Sequence, residues 1–270
     1  MGGVRLYKLR MASLKQLAQR WEALAREDAL WAICADPARR NGGWSEQEFF
    51  AAGEREIETV FEHLRSLNIP INKHWPALDF GCGAGRLTRA LARRFSECCG
   101  VDISPMMIEK AHGLNRDQPQ CKFWLNQESH LRKFDDATFG FIYSSLVLQH
   151  INRKFLPSYL KELVRVLRPG GVVVFQVADH FNASALHKLR VGIAFRRRWN
   201  EMRDGSKATI LMHCLPEKRV REILPNCDVA IKDVRITNST DPAFNGNLEY
   251  LDREPAEGYV SKQYCVIKSA

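Results

Sequence analysis

The chain has 270 residues, 45% of them hydrophobic, which suits one domain with appendages and a sizeable core. No stretch offers the long uncharged apolar run of a membrane span, and Met1 to Arg10 is basic without a signal-peptide core or cleavage pattern, so a soluble cytoplasmic protein is expected. The formal charge of +9 leaves nucleic acid open as a partner, but a solvated face, or a patch receiving an acidic small substrate, accounts for it equally well.

In chain order, helical patterns cover roughly Ala12 to Glu27 and Glu46 to Leu67. They are followed by a strand at Ala77 to Phe80 and a helix from about Gly85 to Arg94. "CCGVD" reads as a second strand, "SPMMIEKAHGL" as a helix started by Ser104 and Pro105, "CKFWLN" as a third strand and "FGFIYS" as a fourth. "LPSYLKELVRVLRPGG" then reads as a helix begun near Pro157 and stopped by Pro169, Gly170 and Gly171, leading into a fifth strand, "VVVFQV". Beyond Ala178 come a basic helical insert from about Ala183 to Trp199, a helix near Glu217 to Leu224, and strands near Val229 to Ile236 and Tyr259 to Ile267. Strands alternating with helices imply an α/β fold, a mainly parallel sheet with helices on both faces. The expected organisation is an N-terminal helical lid over residues 1–68 and a ligand-binding domain over 69–270, with the basic insert at about 181–207.

"LDFGCGAGRLTRAL" places Gly81, Gly83 and Gly85 between the first strand and its helix, where open parallel sheets bind ligands. A nicotinamide fingerprint requires glycine where Arg86 stands, and a Walker loop requires a Gly-Lys-Ser/Thr ending, so neither phosphate motif is present. Asp102 ends the second strand about 20 residues on, placed to accept hydrogen bonds from both hydroxyls of a ribose. A nucleoside without phosphates is the expected ligand.

In four pieces, "LDFGCGAGRLT", "GVDISPMMIEKA", "FDDATFGFIYSSLVLQHI" and "LVRVLRPGGVVVF", the sequence resembles class I S-adenosylmethionine-dependent methyltransferases of the small-molecule type. The resemblance implies their seven-stranded Rossmann-like fold and S-adenosylmethionine as cofactor. Asp79 and the Gly81 to Gly85 loop, with Cys82 and Arg86, would hold its methionine end and Asp102 its ribose. Ile103 and Met107 would pack on the adenine, Asn126 and Gln127 would stand where the family carries an acid facing the adenine amine, and Ser144 would offer backbone to the cofactor amino group.

His150, in "LVLQHI", resembles the position at which many small-molecule members carry a histidine near the transferring methyl, where an imidazole can take a proton from a hydroxyl. A packing or cofactor-shielding role fits the same residue. His180 in "QVADH" is the second candidate base and His213 a third. The Asp/Asn-Pro-Pro-aromatic motif of base and glutamine methylators is replaced by "YSSL", and neither a Pro-Cys nor a two-glutamate loop is present. The expected reaction is methyl transfer to an O or N atom of a small biosynthetic or tailoring substrate. The alternatives are an RNA methyltransferase using "FRRRWNEMRDGSK", Phe195 to Lys207, and a non-catalytic cofactor-binding module. Trp31, Trp44, Phe49 and Phe50 are expected to line the lid, and Arg39, Arg40 and Arg196 to Arg198 to meet an acidic group. The eight cysteines are scattered without a Cys-x-x-Cys pair, so free thiols and no metal are expected.

Overall fold

The computed structural model describes residues 13–183, 212–224 and 228–269. The expected insert at about 181–207, with Arg196 to Arg198, therefore lies almost wholly outside the described residues.

Two N-terminal helices start on matching signals: α1 (Leu14–Ile33) and α2 (Glu46–Ser66) each open on a capping box, Ser13 with Gln16 and Ser45 with Glu48. The regular alternation follows: β1 (Ala77–Phe80), α3 (Arg86–Ala92), β2 (Cys98–Asp102), α4 (Pro105–Leu114), β3 (Cys121–Leu125), β4 (Phe139–Ser144), α5 (Leu156–Val166) and β5 (Leu167–Asn182). The C-terminal part holds α6 (Glu217–Ile223), β6 (Val229–Thr237), β7 (Tyr250–Leu251) and β8 (Gly258–Lys268).

These strands form one eight-stranded sheet in the order β3-β2-β1-β4-β5-β8-β6-β7. Strands β1 to β5 pair in parallel, and β8 runs antiparallel between β5 and β6. The eighth strand is the two-residue β7 on the edge of β6, too short for a periodic signal. The chain works outward from β1 to β3 and then jumps back to β4 on the other side of β1. The carboxyl ends of β1 and β4 thus flank the switch point where open α/β sheets take ligands.

Alternation along the strands divides the core between the faces. Leu78, Ile142, Val173 and Phe175 pack with Leu160 and Leu163 of α5 and Val220 of α6. Ala77, Phe141, Tyr143 and Val174 pack on the other face with Leu87 and Leu91 of α3 and with Ile57, Val60, Phe61 and Leu64 of α2. A boundary at residue 68 therefore does not follow the packing, because α2 is a covering helix of the sheet and only α1 overhangs the strand ends. The fifth helix also ends earlier than expected. Leu167 is already extended and paired with Phe139, two residues ahead of Pro169, which has no N–H to donate back into a helix and restricts Arg168 before it.

Candidate functional site

One wall of the cleft is the loop after β1. The Gly81 and Cys82 N–H groups both donate to the Val101 carbonyl, at 2.8 and 2.9 Å, folding the loop back over β2. Gly81 and Gly83 have φ of 82° and 52°, and an added Cβ would lie 2.2 Å from the Val147 side chain and 2.6 Å from that of Ile33. Glycine is required there both by backbone and by close approach. Beyond the loop, the Asp102 carboxylate accepts from Gly83 N–H at 3.0 Å and Ser104 N–H at 2.9 Å. A carboxylate offers about four acceptor positions, so acceptor capacity remains for a ligand. Burial pushes the Asp102 pKa up, against those backbone bonds.

Beneath the loop lies a buried ionic network. Arg86 Nη2 donates to Glu56 at 2.7 Å, and the Tyr143 hydroxyl donates to the other Glu56 oxygen at 2.8 Å. Both Arg86 and Glu56 are fully buried, while Arg86 Nε and Nη1 have no partner. Asp79 accepts from the Thr88 hydroxyl at 2.6 Å through one oxygen, and its other oxygen is buried without a partner. Burial raises its pKa to about 7.

The opposite wall comes from α1 and the segment after β4. Asp28 breaks the helical path of α1, its carboxylate accepting from Trp31 N–H at 3.2 Å and Gly42 N–H at 2.8 Å. Glu22 ties α1 to the start of α4, accepting from the Ser104 hydroxyl at 2.8 Å and Met106 N–H at 3.0 Å. Leu17, Trp21 and Ile33 then line a cleft together with Val147, His150, Ile151 and Tyr159. Trp21 meets His150 edge to face, ring centroids 5.3 Å apart.

Gly81, Cys82, Gly83, Arg86, Asp102, Ile103, Met107, Asn126 and His150 all line this cleft. Asp79, Gly85, Gln127 and Ser144 do not. Asp79 lies under α3. Gly85 caps α3 against Asn115 and Phe123. Gln127 donates to the Ile103 carbonyl at 3.1 Å, and Ser144 donates to the Phe80 carbonyl at 3.0 Å, so its neighbour Ser145 reaches the cleft instead. His180 also lies off the cleft, between Asp179 at 2.7 Å and Glu254 at 3.2 Å, and its bond to Asp179 raises its pKa. His213 N–H donates to the Gln149 carbonyl, and its imidazole is likewise outside the lining.

The expected lid aromatics take other roles. Trp44, Phe49 and Phe50 form a buried cluster with Cys34 and Ala84, and Trp31 packs against it. Arg39 pairs with Glu48 and Arg40 with Glu27, stacked on Trp44 and Trp31. Trp21, Leu17 and Ile33 escaped sequence reading because nothing in an amphipathic helix says which residue meets a loop far along the chain. Among the described residues no group of His, Cys, Asp or Glu is arranged to hold a metal, no helix is long and apolar enough to cross a membrane, and the described cysteines are free.

A family model for the methyltransferase domain matches residues 78–175, spanning β1 to the middle of β5 and both faces of the switch point. Over residues 78–175 the chain matches a methyltransferase domain. A malonyl-[acyl-carrier protein] O-methyltransferase of Halorhodospira halophila is 35% identical over 57% of this chain and 48% of its own length. The chloroplastic tocopherol O-methyltransferase of Arabidopsis thaliana is 31% identical over 49% of this chain and 39% of its own. The matched segment thus spans less than half the length of these relatives. Among solved structures, magnesium protoporphyrin IX methyltransferase of Synechocystis with bound SAH superimposes with a TM-score of 0.59 at 14% identity, covering 94% of this chain and 99% of that one. This methyltransferase domain shares that fold.

Proposed function

We propose that the protein transfers a methyl group from S-adenosylmethionine to an oxygen or nitrogen atom of a small molecule. The observation that carries the reading is the pairing of Asp102, held by Gly83 and Ser104 with acceptor capacity to spare, with unpartnered buried atoms of opposite charge beside the glycine loop. Of those atoms, Arg86 Nε and Nη1 belong to a residue that lines the cleft and suit the carboxylate of an amino acid, while the buried Asp79 oxygen keeps the ground below the loop negative.

When bound, the cofactor supplies a methyl group already activated on sulfonium. The chain's own work is to bind, orient and exclude water. Asp102 would accept from the ribose hydroxyls, Ile103 and Met107 would cover the adenine, and Asn126 would meet its edge. Trp21, Ile33 and Val147 close the cleft, and holding an acceptor in line can contribute about 7 to 11 kcal/mol. Malonyl-carrier and tocopherol methylation by the relatives supports a small acceptor here, which places the RNA reading second.

Calorimetric titration with S-adenosylhomocysteine tests the reading. Asp102→Ala removes hydrogen bonds worth about 1.5–3 kcal/mol each to a charged acceptor, so affinity should fall at least tenfold. Unchanged affinity in a folded Asp102→Ala protein would remove the ribose from this place, and no binding to the wild type would end the reading. Screening metabolites by mass for the gain of one methylene would then identify the acceptor.

A further inference from the structure

Arg86 opens α3 directly behind Gly85, and its side chain runs toward α2. An added Cβ on Gly53 would lie 2.7 Å from Arg86 Cγ, so the arginine stem rests on α2 where that helix carries no side chain. Glu56 stands one helical turn beyond Gly53 on the same face of α2, and it meets the head of the arginine through Nη2 at 2.7 Å. Arg86 Nε and Nη1 are buried without a partner.

An arginine and a carboxylate frequently pair through two parallel bonds. Here the pair makes one. The second Glu56 oxygen instead accepts from the Tyr143 hydroxyl at 2.8 Å, and a line of bonds holds that hydroxyl in turn. Gln263 Nε2 donates to it at 3.3 Å, and Tyr250 donates to Gln263 Oε1 at 2.8 Å. Burial, and after it the Glu56 charge, pushes the Tyr143 pKa well above its ordinary value, so the hydroxyl keeps the proton it donates. Glu56, Tyr143, Gln263 and Tyr250 come from α2, β4, β8 and β7, so the orientation of the Glu56 carboxylate is set by the sheet and not by Arg86 alone. Guanidinium donors left buried and unpaired cost stability, and such groups persist in native proteins where they have a use.

We propose, resting on the methyltransferase reading, that Glu56 and Tyr143 are positioning residues: Tyr143 turns the Glu56 carboxylate so that it takes Nη2 alone, and Arg86 Nε and Nη1 are thereby kept for the carboxylate at the amino-acid end of the cofactor. Arg86 is itself a lining residue of the cleft. Without the Tyr143 hydroxyl the Glu56 carboxylate is free to turn and take a second guanidinium donor, and a ligand carboxylate then competes with a charge already inside the protein. Donors fixed before the ligand arrives lower the ordering cost of binding it.

The test is calorimetric titration of the full chain with S-adenosylhomocysteine and with its decarboxylated form, S-adenosyl-3-thiopropylamine, which keeps the nucleoside and the amine but has no carboxylate. The wild type should prefer S-adenosylhomocysteine by about tenfold or more, as hydrogen bonds to a charged group are worth. Tyr143→Phe keeps the ring and removes the donor. It should reduce that preference severalfold by weakening S-adenosylhomocysteine, while the decarboxylated ligand binds as tightly as before. A role confined to stability would weaken both ligands alike, so equal loss in a folded Tyr143→Phe protein overturns the proposal, as does an unchanged preference. A wild type that binds the two ligands equally overturns it without any variant, and does so while the Asp102 contact to the ribose stands. Failure of both ligands to bind removes the methyltransferase reading and the proposal with it.

Discussion

On the glycine-loop wall of the cleft, contacts run between neighbouring strand ends and down into a fully buried ion pair, whereas the α1 wall is attached from outside through Glu22, Ile33 and an aromatic edge. The first wall shares its supports with the sheet core. The second is expected to loosen without unfolding the sheet. Under the proposed methyl-transfer function that division has a use, since a ligand could enter under α1 while the glycine loop stays preorganised.

The comparison breaks most severely if the floor of the first wall can be removed cheaply. Glu56→Ala leaves Arg86 buried and uncompensated, and the expected loss is about 3–5 kcal/mol in urea unfolding. A loss under about 1 kcal/mol would show that the ion pair does not support the loop.

Asp79→Asn is the next largest test, and its effect depends on pH. The Asp79 pKa is raised to about 7, so the folded state binds more protons than the unfolded one above the ordinary carboxyl value of 3.8. Stability from this group is present below that value and is lost as pH rises through about 7. The variant should therefore gain on the wild type across that window, by an amount that linkage caps at about 4 kcal/mol. Parallel pH profiles of the two unfolding midpoints would contradict the buried, half-partnered carboxylate.

Gly83→Ala addresses the contact between the walls. A positive φ costs an alanine about 1–2 kcal/mol, and its Cβ would press on Ile33. Hydrogen exchange should quicken in residues 14–33 more than in β1 or β4, and affinity for S-adenosylhomocysteine should fall. Equal changes in both regions would mean that α1 and the sheet move as one unit.

The smallest effect is expected at Glu22→Gln, which weakens two hydrogen bonds for about 1–2 kcal/mol. Although burial works against its charge, bonds from Met106, Ser104 and Arg26 keep the Glu22 carboxyl below its ordinary value. Its stabilisation is present above the ordinary glutamate pKa and is lost as pH falls through the lowered folded value. In the wild type, acid should loosen α1 before the sheet, and the variant should lack that step in hydrogen exchange.

Within the sheet, β1, β2 and β4 were legible to the residue, because each is a short apolar run bounded by glycine, serine or a helix cap. Asp102 and the glycines were legible for a related reason: a turn that demands positive φ and an acid one strand later lie close in sequence, so motif and geometry coincide. The partners of Asp79 and Arg86 were not. Thr88 is near in sequence, but Glu56 is 30 residues from Arg86 and reaches it only because α2 packs beside α3.

What the sequence by itself determined is the alternation, the parallel pairing that follows from it, and the glycine loop at the end of β1, all of which rest on local backbone preference and apolar period. Only the tertiary structure decided that α2 belongs to the core, that Trp21 rather than Trp31 lines the cleft, and that His180 lies between two carboxylates away from it. Each of those depends on which side chains meet after the sheet has twisted and its helices have packed. A hydrogen bond between Gln176 and Gln149, 27 residues apart, leaves no periodic trace in the chain that makes it.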